Sequence, residues 1–290
     1  MIPRKSFVLI LNARSGGSSA GDEGAELLRE RGSELSIVRS ESPEETLNAI
    51  RGAGDVAGIV IGGGDGTISL ALPALIERGL PLGILPLGTA NDFARSIGVA
   101  DMKAACDAIA QGTLRSVDLG AANGRPFLNV VALGLPAQAA RELTAERKRR
   151  FGMFAALAAA PSIARRRHVF TLNATIDGDT VRARCEAVLL GAGRYVGGFP
   201  IAYEDLDDGK LHLTVCRALS ASEVLSLALS ALFRRLPQDD RILERTAVSV
   251  KLETAVPMDV AIDGDICAKT PIDVRIFASK LRVFAPATAS

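Results

Sequence analysis

The chain has no tryptophan, two tyrosines and two histidines, and aromatics make up 4% of its 290 residues. Aromatic platforms for stacking single-stranded bases are therefore excluded as a main device. A net charge of +1 gives no bulk attraction to a polyanion, so nucleic acid is not an expected partner. His168 and His212 stand alone in strand-like runs, which leaves no material for a zinc centre or a histidine-based triad. The four cysteines, Cys106, Cys185, Cys216 and Cys267, form no C-x-x-C and read as small apolar residues of a reducing compartment. A Walker A loop is missing, because the only Gly-Lys pair, Gly209-Lys210, is followed by Leu211. No run reaches the roughly 20 apolar residues of a membrane span. The longest weakly charged segment, Phe151–Ala164, has 14 residues and contains Pro161. Met1–Lys5 runs straight into a strand-like stretch with no signal-peptide core. What remains, 48% hydrophobic and 23% charged, is the composition of a folded cytoplasmic protein with a large core.

Against these absences stands one conspicuous stretch, Gly62-Gly63-Gly64-Asp65-Gly66-Thr67. It follows the apolar run Val56–Ile61 and precedes a helix-like pattern from Ile68. Glycine between a strand and a helix lets main-chain N–H groups approach a ligand, and the helix start favours negative charge. The loop therefore suits phosphate, with Asp65 in it to handle a metal or a proton. A second loop, Pro86-Leu87-Gly88-Thr89-Ala90-Asn91-Asp92, follows the strand Pro81–Leu85 and opens another helix. A third, Asn12-Ala13-Arg14-Ser15-Gly16-Gly17, follows the strand Ser6–Leu11. Alone it reads as an ordinary turn; after the first strand, Arg14 becomes a phosphate-pairing cation and Asn12 and Ser15 donors. Helix signals at Asp22–Arg31 and after Ser42-Pro43-Glu44-Glu45, and a strand at Glu34–Val38, complete a βαβ alternation. This pattern predicts a parallel sheet covered by helices, with ligands beyond the carboxyl ends of its strands.

From about Val117 the texture changes. Closely spaced strand-like runs follow: Phe127–Leu133, His168–Ile176, Val181–Leu190, Leu211–Cys216, Ala247–Leu252, Met258–Ile262, Ile272–Phe277 and Leu281–Phe284. Asp177-Gly178 is a hairpin signal. Two helices interrupt the strands, one over roughly Ala140–Ala164, the other over Ser220–Arg235 behind the capping box Ser220–Glu223. The expected architecture is an α/β nucleotide-binding domain over 1–122 and an antiparallel β-sandwich domain over 123–290.

Taken together, Gly62–Thr67 and Pro86–Asp92 resemble the catalytic domain of the diacylglycerol kinase-like lipid kinases, in their soluble bacterial branch, and the resemblance spans nearly the whole chain. It implies that Asn12–Gly16, Ser40, Gly62–Thr67, Gly88, Thr89, Asn91 and Asp92 bind ATP. Ala13 stands where the family has proline, and Ser40 where a threonine is usual. Ser116–Gly120 with Phe127-Leu128-Asn129 matches the family's crossing between domains, and Gly191–Gly198 its glycine loop. Asp207-Asp208-Gly209-Lys210-Leu211 is similar to the structural magnesium segment, which implies a metal role for Asp205, Asp208 and Lys210 beside Asp65, Asp92 and Asp118. Tyr203 replaces a proline there, and one glycine of the usual run is missing. Asp263-Gly264-Asp265 resembles the Asp-Gly-Glu signature that carries the catalytic acidic residue, with Asp263 the first choice of base and Asp265 the second.

The implied activity is ATP- and Mg²⁺-dependent phosphorylation of a hydroxyl of diacylglycerol or a related lipid. Alternatives are a soluble-substrate kinase of the same superfamily, NAD kinase or phosphofructokinase-like, and a nucleotide-binding regulator without turnover. Arg141–Arg167 holds eight Lys/Arg against two Glu, net +6. With a lipid substrate, this segment becomes a peripheral docking surface for an anionic membrane. A homodimer is compatible with the reading.

Overall fold

In a computed structural model, the described residues are 5–13, 18–142, 168–193, 195–196, 199–200, 208–217 and 242–287. Several expectations therefore lie outside them: Arg14, Ser15 and Gly16 of the first loop, Tyr203, Asp205, the helix Ser220–Arg235, and the basic segment beyond Glu142. The chain divides into two compact units, one up to Asp118 and again from Ala278 on, the other Leu119–Phe277.

The first unit alternates strands and helices. Its elements are β1 (Ser6–Asn12), α1 (Ser18–Glu30), β2 (Glu34–Ser40), α2 (Pro43–Arg51), β3 (Gly58–Gly63), α3 (Asp65–Arg78), β4 (Leu82–Pro86), α4 (Asp92–Ser96), α5 (Met102–Gln111) and β5 (Leu114–Ala122), the last running on into the second unit. β2, β1, β3 and β4 pair in that order, all parallel. β1 and β3 are buried along almost their whole length, as strands covered on both faces must be. α2 starts as the sequence directs: Pro43 is its first residue, and the Ser42 hydroxyl accepts the Glu45 N–H at 3.2 Å. The Glu45 carboxylate reaches back to the N–H of Glu41 at 2.7 Å rather than to that of Ser42.

The chain leaves β1 for β2 on one side and β3 lies on the other, so the order reverses between β1 and β3. Such a reversal opens a crevice at the carboxyl ends of the strands, and Asn12 and Gly63 end β1 and β3 there.

The second unit is antiparallel. It contains β6 (Arg125–Phe127), β7 (Val130–Gly134), α6 (Leu135–Glu142), β8 (Phe170–Ile176), β9 (Asp179–Gly191), β10 (Tyr195–Val196), β11 (Phe199–Pro200), β12 (Leu211–Arg217), β13 (Ile242–Ala247), β14 (Ser249–Thr254), β15 (Asp259–Ile262), β16 (Asp265–Lys269) and β17 (Ile272–Phe284). Strand order runs β16-β15-β7-β9-β8-β14-β17, with β12 on β9 and β13 on β12. Alternating burial along β8, β12 and β14 shows one face turned to a core around Phe127, Leu172, Val188, Leu213 and Val250. Asp177 and Gly178 form the β8–β9 turn with φ of 48° and 101°, as a type I′ turn needs.

Three strand expectations change. Phe127–Leu133 is interrupted at Leu128 and Asn129, whose N–H groups bond to a side chain instead of a strand. Ala247–Leu252 belongs to two strands, β13 and β14. Ile272–Phe277 and Leu281–Phe284 are one strand, β17. Its end returns to the first unit, where Val283 pairs with Leu82 and the Phe284 ring meets Phe7 edge-on at 5.6 Å. The sequence reading placed all of 123–290 in one domain; this return comes from pairing between residues far apart in the chain, which composition does not signal. The helix expected from about Ala140 begins at Leu135 and is described to Glu142.

Candidate active site

In the first unit the two glycine loops touch. A Cβ on Gly88 would lie 2.5 Å from the Gly64 Cα and 2.6 Å from Asn91 Oδ1, so main chain packs on main chain and any side chain is excluded. A Cβ on Gly62 would meet Leu11 at 2.5 Å, and one on Gly63 would meet Thr67 at 2.8 Å. Gly66 differs: among the described residues a Cβ there would meet nothing within 4 Å beyond its own helix and chain neighbours. Protein packing explains glycine at positions 62, 63, 64 and 88, and leaves Gly66 open at the first turn of α3.

Side chains lock this arrangement. Asn91, with φ of 49°, folds its loop by accepting the Gly88 N–H at 2.8 Å and donating to the Gly88 carbonyl at 2.9 Å. It is thus occupied and does not cap the helix it precedes. Asp65 does so from the other loop: its carboxylate accepts the N–H of Asp92 at 3.0 Å and of Phe93 at 2.8 Å, the first amides of α4. Asn12 Nδ2 donates to Thr67 Oγ1 at 2.8 Å, tying the end of β1 to α3. The structure therefore brings Asn12, Gly62–Thr67, Gly88, Asn91 and Asp92 together.

Ser40 lies beside the first loop, opposite Asn12 in the β1–β2 register, and its carbonyl accepts the Ala13 N–H at 2.9 Å, while its hydroxyl is engaged between β2 and α2. It is buried, bonds to the Ser42 carbonyl at 2.8 Å and shares a 2.6 Å hydrogen bond with the Thr46 hydroxyl. Asp92 and Asp118 are both 5% exposed. Among the described residues no three His, Cys, Asp or Glu side chains gather as a metal-holding group. Each Asp65 oxygen accepts one main-chain N–H group.

The second unit has its own carboxylate hub. Asp263 and Gly264 form the β15–β16 turn, with φ of 49° and 90°. The Asp263 carboxylate accepts the N–H of Leu128 at 2.8 Å, Asn129 at 2.8 Å and Val130 at 3.1 Å. Its own N–H donates to the Val130 carbonyl at 2.9 Å. The Asn129 carbonyl in turn accepts from Ala192 and Gly193 at 2.9 and 3.1 Å. Three separate sequence motifs thus converge on Asn129. Asp265, by contrast, is exposed. Asp208 accepts the Lys210 N–H at 2.9 Å on one oxygen. Its other oxygen is buried and accepts no hydrogen bond among the described residues, although His212 Nε2 approaches to 3.3 Å.

Two features had escaped the sequence reading. Glu186 is a carboxylate only 2% exposed in β9, hidden in the sequence because a lone Glu in an alternating strand looks solvent-facing. The other is a cavity of about 160 Å³ lined by Gly134, Ala137, Gln138, Arg141, Met258, Asp259 and Ile266. Gln138 Oε1 is buried there with no hydrogen-bond partner among the described residues, and Arg141 pairs with Asp259 at 3.1 Å.

Comparison with known families agrees with both halves. Residues 6–122 match the diacylglycerol kinase catalytic domain, and residues 129–285 match the YegS C-terminal NAD kinase beta sandwich-like domain. The chain belongs to the diacylglycerol kinase-like family. Among relatives of this family, an uncharacterized protein of Synechocystis sp. is 30% identical over 79% of the chain, an alignment that spans 54% of that relative's length. A diacylglycerol kinase of Staphylococcus aureus is 26% identical over 98% of the chain and 93% of its own. One of Bacillus subtilis is 27% identical over 73% and 72%. The fold of a diacylglycerol kinase crystal structure from Bacillus anthracis superposes with a TM-score of 0.77 at 22% identity, covering 99% of this chain and 98% of that one. A second structure from that organism gives 0.84 at 24%, covering 99% and 97%.

Proposed function

We propose that the protein transfers the terminal phosphoryl group of ATP to a hydroxyl of diacylglycerol or a related lipid. The observation that carries this reading is Gly66. Its neighbours are glycine because the protein fills their space, whereas Gly66 presents bare main chain at a helix start, where a phosphate is favoured. Gly88 and Asn91 hold the second loop against it, and Asn12 the first.

Phosphoryl transfer also needs a divalent cation and a proton acceptor near the attacking hydroxyl. Mg²⁺ retains waters and substrate phosphates and needs only one or two protein carboxylates, so the lack of a three-ligand group fits it. When bound it would neutralise charge on the transferred phosphate. Asp92 and Asp118 in the first unit are the carboxylates proposed to hold it, and Asp208, whose buried oxygen lies 3.3 Å from His212 Nε2 and accepts no hydrogen bond among the described residues, is proposed for a structural ion. In the second unit Asp265 is the exposed carboxylate of its turn, so proton acceptance is assigned to it. The acceptor side gains support from the cavity: Ala137, Met258 and Ile266 give apolar walls, and Gln138 Oε1 is an acceptor for one hydroxyl.

No helix among the described residues is long and apolar enough to cross a membrane. We place the enzyme at the surface of anionic membranes through the Arg141–Arg167 segment, where each cation contributes about 1 kcal/mol near the leaflet. The test offers ATP and Mg²⁺ with a total lipid extract in anionic vesicles, and in parallel with NAD and sugar phosphates, with products read by mass spectrometry. Phosphorylated lipid is the expected product. Phosphorylation of a soluble acceptor alone would replace the reading with a soluble-substrate kinase, and ATP binding without any product would make the protein a regulator.

A further inference from the structure

Asp263 is the first carboxylate of the turn that the proposed reaction draws on, yet its geometry is that of a fastening. Both oxygens accept main-chain N–H groups, Oδ2 from Leu128 and Oδ1 from Asn129 and Val130, at 2.8, 2.8 and 3.1 Å. The fourth bond, from its own N–H to the Val130 carbonyl, closes the link from the other direction. Three of the roughly four acceptor sites of this carboxylate are taken by main-chain N–H groups. Its backbone is also committed, since a non-glycine residue at φ of 49° is tolerated best as Asp or Asn.

What Asp263 fastens is specific. The interruption between β6 and β7 exists because the N–H groups of Leu128 and Asn129 point at this carboxylate instead of a strand. The Asn129 carbonyl then holds Ala192 and Gly193, and a Cβ on Gly193 would lie 2.9 Å from Asn129 Oδ1, so the glycine loop rests directly on the fastened residue. Asn129 itself is 4% exposed, and its Oδ1 has no hydrogen-bond partner among the described residues.

The geometry points to Asp263 as a positioning residue: its carboxylate holds the Leu128–Val130 main chain, and through Asn129 the Gly191–Gly193 loop, in register with the turn that carries Asp265. This role rests on the phosphoryl-transfer reading only for its effect on turnover; the fastening itself is independent of it. Asp263→Gly removes the carboxylate but keeps the left-handed backbone. Asp263→Asn keeps the backbone and one acceptor oxygen, enough for two of the three N–H groups.

The test measures hydrogen exchange of the Leu128, Asn129, Val130, Ala192 and Gly193 amides, together with lipid phosphorylation. Exchange at these amides should rise by about tenfold or more in Asp263→Gly and less in Asp263→Asn, and stay at the wild-type level in Asp265→Asn. Turnover of Asp263→Asn should exceed that of Asp263→Gly by about tenfold, with the acidic limb of the kcat–pH profile unmoved, because an amide can position but cannot accept a proton. Unchanged exchange in Asp263→Gly overturns the proposal. Equal loss of turnover in both variants overturns it too, since that is the behaviour of a base. If wild-type protein phosphorylates no lipid, the functional reading falls, and the exchange arm alone decides the fastening.

Discussion

Asp65 and Asp263 use the same device in the two units and meet different demands. Each spends both carboxylate oxygens on main-chain N–H groups of another segment. Asp65 reaches Asp92 and Phe93, 27 and 28 residues away, and completes the start of a helix that its own neighbour Asn91 leaves uncapped. Asp263 reaches Leu128–Val130, 133 to 135 residues away, and interrupts a strand. The first carboxylate answers a need that every helix start has. The second takes up the N–H groups at a break between two strands. Losing Asp65 should therefore leave a helix that can find water, whereas losing Asp263 frees a segment with no alternative pairing.

The largest expected effect breaks the symmetry at Asp65. Asp65→Asn keeps one acceptor oxygen and presents an NH₂ group to the other N–H, so the two glycine loops lose their charge-assisted tie. Hydrogen bonds to a charged group contribute about 1.5–3 kcal/mol each. We expect a folded far-ultraviolet spectrum, a lowered Tm, and turnover reduced by roughly a hundredfold or more because phosphate positioning is lost. Near-normal lipid phosphorylation by this variant would show that the tie is a matter of stability alone, and the comparison with Asp263 would then lose its functional half.

That contrast in chain separation also explains what was legible in the sequence. The βαβ alternation, the three strand-end loops and the hairpin at Asp177-Gly178 rest on local patterns, and local patterns persist in a single chain. Asn12 meeting Thr67, and Asp65 meeting α4, follow from the parallel sheet, which places successive strand ends side by side. The Asp263 contacts have no such warrant. An Asp-Gly pair is a complete turn signal by itself, and nothing in it names Leu128. The same holds for β17, read as two strands because Ser279 and Lys280 break its apolar run while it leaves one unit for the other. The carboxylates Asp65 and Asp263 show the same limit: the sequence places them at loop ends, but not the main-chain N–H groups that they accept from.

A finer prediction sharpens the comparison inside the first unit, by separating glycines that packing requires from the one it leaves open. Gly88→Ala drives a Cβ to 2.5 Å from the Gly64 main chain, where no flexible side chain can yield. It should lower Tm by about 2 degrees for each kcal/mol lost, the scale for a protein of this size, with a loss of about 1 kcal/mol or more expected. Gly66→Ala meets no atom of the described residues within 4 Å outside its own helix and chain neighbours, and should leave Tm within about a degree of wild type. Its cost should appear only with ligand, as roughly tenfold weaker ATP binding by calorimetry. Equal ATP affinity in Gly66→Ala and wild type would remove the observation on which the nucleotide loop rests.

The smallest effect compares the two cores through their thiols. Burial pushes Cys106 of the first unit up to about 11 and Cys185 of the second up to about 12. Cys216 is likewise raised to about 11 by burial. Cys267 is exposed, and its thiol is raised by partial desolvation. At pH 8 an alkylating reagent should therefore label Cys267 first and reach Cys106 and Cys185 only when the units open. The sign of the linked stability follows: a thiol raised in the folded state keeps its full contribution below about 9 and loses it as pH climbs toward the folded value. Each buried thiol should withdraw roughly 1.4 kcal/mol per pH unit above 9. For Cys106 that slope should end near 11, and for Cys185 it should continue toward 12. Cys106→Ala and Cys185→Ala should each flatten the decline of denaturant stability between pH 9 and pH 10. If labelling of Cys106 and Cys185 at pH 8 keeps pace with that of Cys267, the two cores open far more readily than their packing implies, and neither carboxylate tie can be holding its unit closed.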